Sequence, residues 1–181
     1  MNKYILGIDV GKINMGYSLF NGTNLYFNLF NIESHISDAK LKDVKKNRTI
    51  IIYKFLEQIK SKFDVSKIVL EQQMKVNPTA QSIEEAIITI AYIFNIDVIT
   101  YSAKKKFKYN NETFNSKKKE HKRISEHYCK NIISHLGYTL DYFNSFKKKA
   151  DISDATCMAV FTYIEKYHKK NATDIIRYLI N

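Results

Sequence analysis

Proline occurs once in this sequence, at Pro78, and cysteine twice, at Cys129 and Cys157. The cysteines form no Cys-x-x-Cys and fall in helix-like segments, which excludes a zinc framework or disulfide scaffold and suggests buried reduced thiols. No apolar run approaches the roughly 20 residues that span a bilayer. The opening Met1-Asn2-Lys3-Tyr4 passes straight into a strand-like stretch, read as leaving no space for a signal or transit peptide. The expectation is a soluble, intracellular protein with no membrane partner. Internal repeats, low-complexity linkers and composition breaks are also missing, so 181 residues fit one domain with a real core.

Arginine is scarce too, appearing only as Arg48, Arg123 and Arg177 beside abundant lysine, isoleucine and asparagine. An AT-rich genome produces that bias without selection for nucleic-acid binding, so the net charge of +11 points to a polyanionic partner only after a discount. The distribution of charge says more. Nine basic residues lie between positions 101 and 125, opposed by Glu112 and Glu120 alone, and Lys147-Lys148-Lys149 form a second run. Lys104, Lys105, Lys106, Lys108, Lys117, Lys118, Lys147 and Lys148 are therefore the candidate DNA contacts, with a solvated, solubilising face as the alternative. Phe107, Tyr109 and Phe114 interleave with these charges and either stack on exposed bases or anchor the segment to the core.

The apolar pattern orders the chain. Residues 3–10 read as a buried strand, 16–20 as a second strand ending in the hairpin signal Asn21-Gly22, and 24–32 as a third. Helical spacing of Ile51, Ile52, Phe55, Leu56 and Ile59 marks a helix over 48–63, and 66–71 is a fourth strand. A second helix over 79–94 leads to a fifth strand over 96–101. Residues 104–116 read as an exposed loop, followed by helices over 116–136, closed by Gly137, and over 150–168. Residues 169–181 are set apart as a short amphipathic tail. The order predicts an α/β fold: a mixed five-stranded sheet, three antiparallel strands then two parallel ones, flanked by helices.

Four carboxylates stand out on this frame. Asp9 interrupts the first apolar strand, Glu71 closes Ile68-Val69-Leu70, and Asp151 and Asp154 sit three apart near the start of the last long helix. A charge in apolar company is costly unless it is neutralised or placed on a metal. All-oxygen donors suit a hard ion such as Mg²⁺, and carboxylates this close would repel strongly without one. Such a set fits two-metal phosphodiester hydrolysis. Plainer roles exist for each residue: an N-cap for Asp151, a favourable first-turn charge for Asp154, a strand terminus for Glu71. The five histidines show no metal-ligand spacing.

The segments Gly7-Ile8-Asp9-Val10-Gly11-Lys12-Ile13-Asn14-Met15-Gly16, Val69-Leu70-Glu71-Gln72-Gln73 and Lys148-Lys149-Ala150-Asp151-Ile152-Ser153-Asp154-Ala155 resemble those of RuvC-type Holliday junction resolvases, most of all the branch carried by poxviruses and other large DNA viruses. Val10 stands where the bacterial pattern has proline. The resemblance implies an RNase H-like nuclease domain over residues 1–168. It implies a homodimer acting on branched DNA in the compartment where viral DNA replicates, with paired nicks across a four-way junction. It makes Asp9, Glu71, Asp151 and Asp154 the ligands of two Mg²⁺ ions, replaceable by Mn²⁺, and adds a catalytic lysine of the kind the family tends to place on the helix before the final acids, for which Lys122 and Lys119 both compete, Lys122 being the better match. The helix over 79–94, which leaves Ile88, Tyr92 and Ile93 without burial, is the expected dimer face. An RNase H-like ribonuclease, a pre-rRNA-processing nuclease and a non-catalytic nucleic-acid-binding protein are the alternatives.

Overall fold

A computed structural model describes residues 3–37, 44–72, 77–109 and 118–181. Three strands, β1 (Tyr4–Val10), β2 (Asn14–Phe20) and β3 (Leu25–Asn31), form the antiparallel meander. At its hairpin, Gly22 takes a left-handed φ of 100° and the Asn21 side chain accepts from the Thr23 and Asn24 backbone N–H groups. A short helix α1 (Ile32–Ser37) was not foreseen, and α2 (Val44–Lys62) then leads to β4 (Val65–Glu71). The single proline opens α3 (Pro78–Ile93), where a missing N–H costs nothing, and Asn77 caps it by accepting from the Ala80 N–H. After β5 (Asp97–Tyr101) come a 3₁₀ helix (Ala103–Tyr109), α4 (Lys118–His135), α5 (Asp141–Ser145), α6 (Lys149–Tyr167) and α7 (Ala172–Ile180).

The sheet order is β3-β2-β1-β4-β5, with β4 and β5 parallel to β1, as the sequence order implies. Alternation along β1 divides the interior. Leu6, Ile8 and Val10 enter one core with α1, α2 and α3, whereas Ile5 enters the other with α4, α6 and α7. Gly7 and Asp9 share the Ile5 face by the two-residue period of a strand. Residues 169–181, read as a tail, carry α7, whose Ile176 and Ile180 are buried in the second core, so this segment is part of the fold. Cys129 and Cys157 are buried free thiols, and burial pushes Cys129 up to about 12.

The exposed loop expected over 104–116 needs correction for its first half. Residues 103–109 form the 3₁₀ helix, with Lys106, Phe107 and Tyr109 buried, so the two aromatics anchor the segment and present no free face to bases. Phe114 lies outside the described residues.

Glycine lets α6 approach the sheet. A Cβ on Gly7 would stand 2.2 Å from the Ala155 carbonyl oxygen, and one on Gly16 would stand 2.1 Å from that of Asp151. Gly16 is also the register partner of Asp9. Both obstacles are backbone, so Gly16→Ala must push the start of α6 away from β2. The expected result is a loss of about 1–3 kcal/mol in denaturant unfolding.

Candidate active site

Three elements deliver three acids to one point. Asp9 comes from β1, Glu71 from the end of β4 and Asp154 from the second turn of α6, and one carboxylate oxygen from each lies within 4.8 Å of the others. Each keeps partial exposure. The arrangement follows from the features already described: alternation puts Asp9 and Glu71 on the α6 side, and Gly7, Gly16 and Ala155 bring α6 within reach. Asp151 stands one turn earlier on α6, half-buried and outside the tight group. It is not the helix cap. Lys148 occupies that position, and Asp151 is a first-turn charge favoured by the helix dipole.

The cluster already contains a cation that the sequence placed elsewhere. Lys106 is 2% exposed, and its Nζ donates to Glu71 Oε1 at 3.1 Å and to Asp154 Oδ1 at 2.5 Å. Read as part of a DNA-tracking loop, it is instead buried among the acids. The reason is periodicity: in a 3₁₀ helix side chains three apart eclipse, so consecutive lysines point in different directions. Burial works against the Lys106 charge, but Asp154 and Glu71 outweigh it and hold the ammonium above its ordinary value.

The acids carry the opposite strain. Burial pushes the Asp9 carboxyl well above its ordinary value, and the charges of Asp154, Glu71 and Asp151 add to that push while Lys106 opposes it. Burial also raises Asp151, helped by Asp154 and Glu71 and opposed by Lys122 and Lys148. Both shifts disfavour negative charge at this point, and added positive charge would relieve them.

The other predicted residues divide clearly. Lys122 is exposed on α4 and its charge acts on Asp151. Lys119 lies in the first turn of α4, with its side chain outside the described residues, as is that of Lys118, and Lys117 falls outside altogether. Lys147 and Lys148 are exposed at the entry to α6, and the charge of Lys148 acts on Asp151. Lys104 is exposed, whereas Lys105 and Lys108 are ion-paired to Glu165 at 2.6 and 3.0 Å.

The model of the poxvirus A22 protein family matches residues 3–166. The chain belongs to that family of Holliday junction resolvases. No curated protein sequence matches it. Among solved structures, Thermus thermophilus RuvC in complex with Holliday junction substrate superposes with a TM-score of 0.62 at 12% identity, covering 91% of this chain and 95% of that one. The yeast mitochondrial Holliday junction resolvase Ydc2 gives a TM-score of 0.61 at 14% identity, over 98% of this chain and 81% of the other. At such low identity these likenesses establish the RuvC-type, RNase H-like fold, which accords with the mixed sheet and flanking helices described above. The family assignment rests on the sequence match.

Proposed function

We propose that this chain is a metal-dependent endonuclease that resolves four-way DNA junctions by paired, symmetric nicks. The observation that carries the reading is the convergence of Asp9, Glu71 and Asp154 from two strands and a helix onto one point, with a buried ammonium between two of them. Oxygen-only donors at that spacing fit Mg²⁺, with Mn²⁺ as a substitute. Asp9, Glu71 and Asp154 would hold one ion, and Asp151, one turn away, would complete the set for a second. Two such ions, when bound, supply an activated water and neutralise charge on the departing oxygen.

The remaining work belongs to the protein. Burial and the neighbouring acids raise the Asp9 carboxyl, and positive charge brought to the site acts against that rise, as Lys106 does. Lys106 offers an ammonium at hydrogen-bonding distance from two acids, close to where a scissile phosphate must lie. That geometry favours Lys106 as the lysine acting on the reacting group, with Lys122, whose charge acts on Asp151, available to phosphates nearer the junction arms. Lys147 and Lys148, exposed where α6 begins, extend the same positive surface.

A cleavage assay comparing a four-way junction, a linear duplex of the same sequence and an RNA/DNA hybrid, with and without Mg²⁺, tests the reading. Mg²⁺-dependent cutting of the junction in matched strands is the expected result. Preferential cutting of the hybrid would favour an RNase H-like activity, and tight binding without any cutting would favour a binding module; either result contradicts the proposal.

A four-way junction has near two-fold symmetry, so matched nicks call for two active sites related by the same axis. The α3 helix is the proposed contact face. Ile83, Ile87, Ile90 and Ala91 are buried against the sheet, while Ile88 is 39%, Ile93 65% and Tyr92 86% exposed. The α4 helix does not cover them, because it joins the core on the other side of the sheet. Sedimentation should give a dimer, converted to monomer by Ile88→Asp with Tyr92→Asp, and that monomer should make single nicks in place of paired ones. A dimer indifferent to both substitutions would contradict this placement.

A further inference from the structure

A second charged cluster sits roughly three turns beyond Asp154 on α6, away from the acids. Glu165 accepts from Lys105 Nζ through Oε2 at 2.6 Å, from Lys108 Nζ through Oε1 at 3.0 Å, and from the Tyr109 hydroxyl through the same oxygen. All three donors belong to the 3₁₀ helix that carries Lys106. Burial alone would raise the Glu165 carboxyl, yet the three donors hold it below its ordinary value, so it is an anion at neutral pH.

We infer that Glu165 is a positioning residue: it clamps the Ala103–Tyr109 segment onto α6 and thereby aims Lys106 into the carboxylate cluster. The inference rests on the proposed nuclease reading. Eclipsing in a 3₁₀ helix places Lys105 and Lys108, three apart, in one row, and Lys106 in the next row about a third of a turn around. Fixing the first row on Glu165 therefore fixes the direction of the second. Other contacts hold the end of the segment: the Tyr109 ring packs on Phe161 at 5.3 Å between centroids, and Arg177 Nε of α7 donates to the Tyr109 carbonyl at 2.9 Å. The Lys105 ammonium also lies 4.8 Å from the Tyr101 ring centroid, at the end of β5. The segment is thus tied to α6, α7 and the last strand, and it sends Lys106 Nζ to Glu71 and Asp154.

The clamp also changes which lysines meet DNA. With Glu165 in place, Lys105 and Lys108 are committed to an internal partner, so loss of Glu165 should raise the charge available to phosphates while lowering the rate of cutting. An effect on rate and binding in opposite directions is not expected of a carboxylate that serves stability alone.

The test uses the full chain with Glu165→Gln, which keeps shape and removes charge. With enzyme in excess over a four-way junction, the cutting rate should fall about tenfold, the effect of weakening charged hydrogen bonds, while junction affinity holds or tightens. In a Lys106→Met background the same substitution should lower the rate no further, because both act through one ammonium. Reductive methylation with peptide mapping supplies a readout independent of cutting: Lys106, shielded in the wild type, should become reactive in Glu165→Gln. Where Glu165→Gln does not fold, Tyr109→Phe removes one donor and should shift rate and reactivity in the same directions. A Glu165→Gln protein that cuts at the wild-type rate, an undiminished rate loss in the Lys106→Met background, or a Lys106 that stays shielded would each overturn the inference. A wild-type protein that cuts no junction would overturn the nuclease reading instead, and the methylation result would still decide the clamp.

Discussion

Asp9→Asn and Glu71→Gln should each lower junction cutting by at least about a hundredfold while affinity for the junction stays equal or rises. Each substitution keeps the side-chain volume and takes away an anionic oxygen from a group whose three oxygens lie within 4.8 Å. Cutting falls because a hard cation loses a ligand. Binding holds because the change removes negative charge from a surface that must accept phosphates. Stability moves the other way for Asp9. Its folded carboxyl binds a proton more tightly than the unfolded one, so the ionised form costs stability as pH rises above the ordinary value of 3.8. Asparagine removes that cost. Asp9→Asn protein without divalent cations should therefore melt higher than wild type at neutral pH, with the gap closing as pH falls toward 3.8. Thermal melts across pH, paired with cutting and binding assays, check both halves; wild-type cutting by either variant would remove the acids from the mechanism.

Lys106→Met should destabilise the metal-free protein by about 3 kcal/mol, the usual cost of removing one partner from a buried ion pair. Methionine fills much of the same space, so the loss reports the charge. Glu71 and Asp154 would then lose the ammonium that joins them. Two conditions should shrink the deficit: acid, which protonates the carboxylates, and Mg²⁺, which replaces the missing positive charge and stabilises by preferential binding to the folded state. Urea unfolding in EDTA and in Mg²⁺ measures this. Cutting in saturating Mg²⁺ should still fall, because the cation restores the fold without restoring a donor beside the scissile phosphate. A variant as stable as wild type in EDTA would show that Lys106 does not balance the acids.

These outcomes also mark where the sequence was readable. Asp9 was legible because an acid inside an apolar strand has few cheap explanations, and the meander because its period and the Asn21-Gly22 hairpin agree. Gly7 and Gly16 fell inside the quoted turn motif, yet their purpose, admitting the backbone of α6, depends on an element more than a hundred positions away. Lys106 was hidden by its neighbours. Three consecutive lysines read as a basic run facing DNA, or else solvent, and nothing in their order says that the middle of the segment turns inward as a 3₁₀ helix. Lys105 and Lys108 were missed for the same reason, since their partner Glu165 lies on another element. The short α5 and the burial of α7 were likewise set by tertiary contacts that local periodicity does not encode.

The central claim is that Asp9, Glu71 and Asp154 hold the divalent ion with which the protein cuts junctions. Anomalous scattering from crystals of active protein grown with Mn²⁺ tests it most directly. The account predicts a peak in contact with oxygens of all three carboxylates, with the Lys106 ammonium moved off at least one of the two acids it bridges. Protein that cuts junctions in the same Mn²⁺ solution while these carboxylates remain metal-free, with Lys106 still joining Glu71 to Asp154, would contradict it.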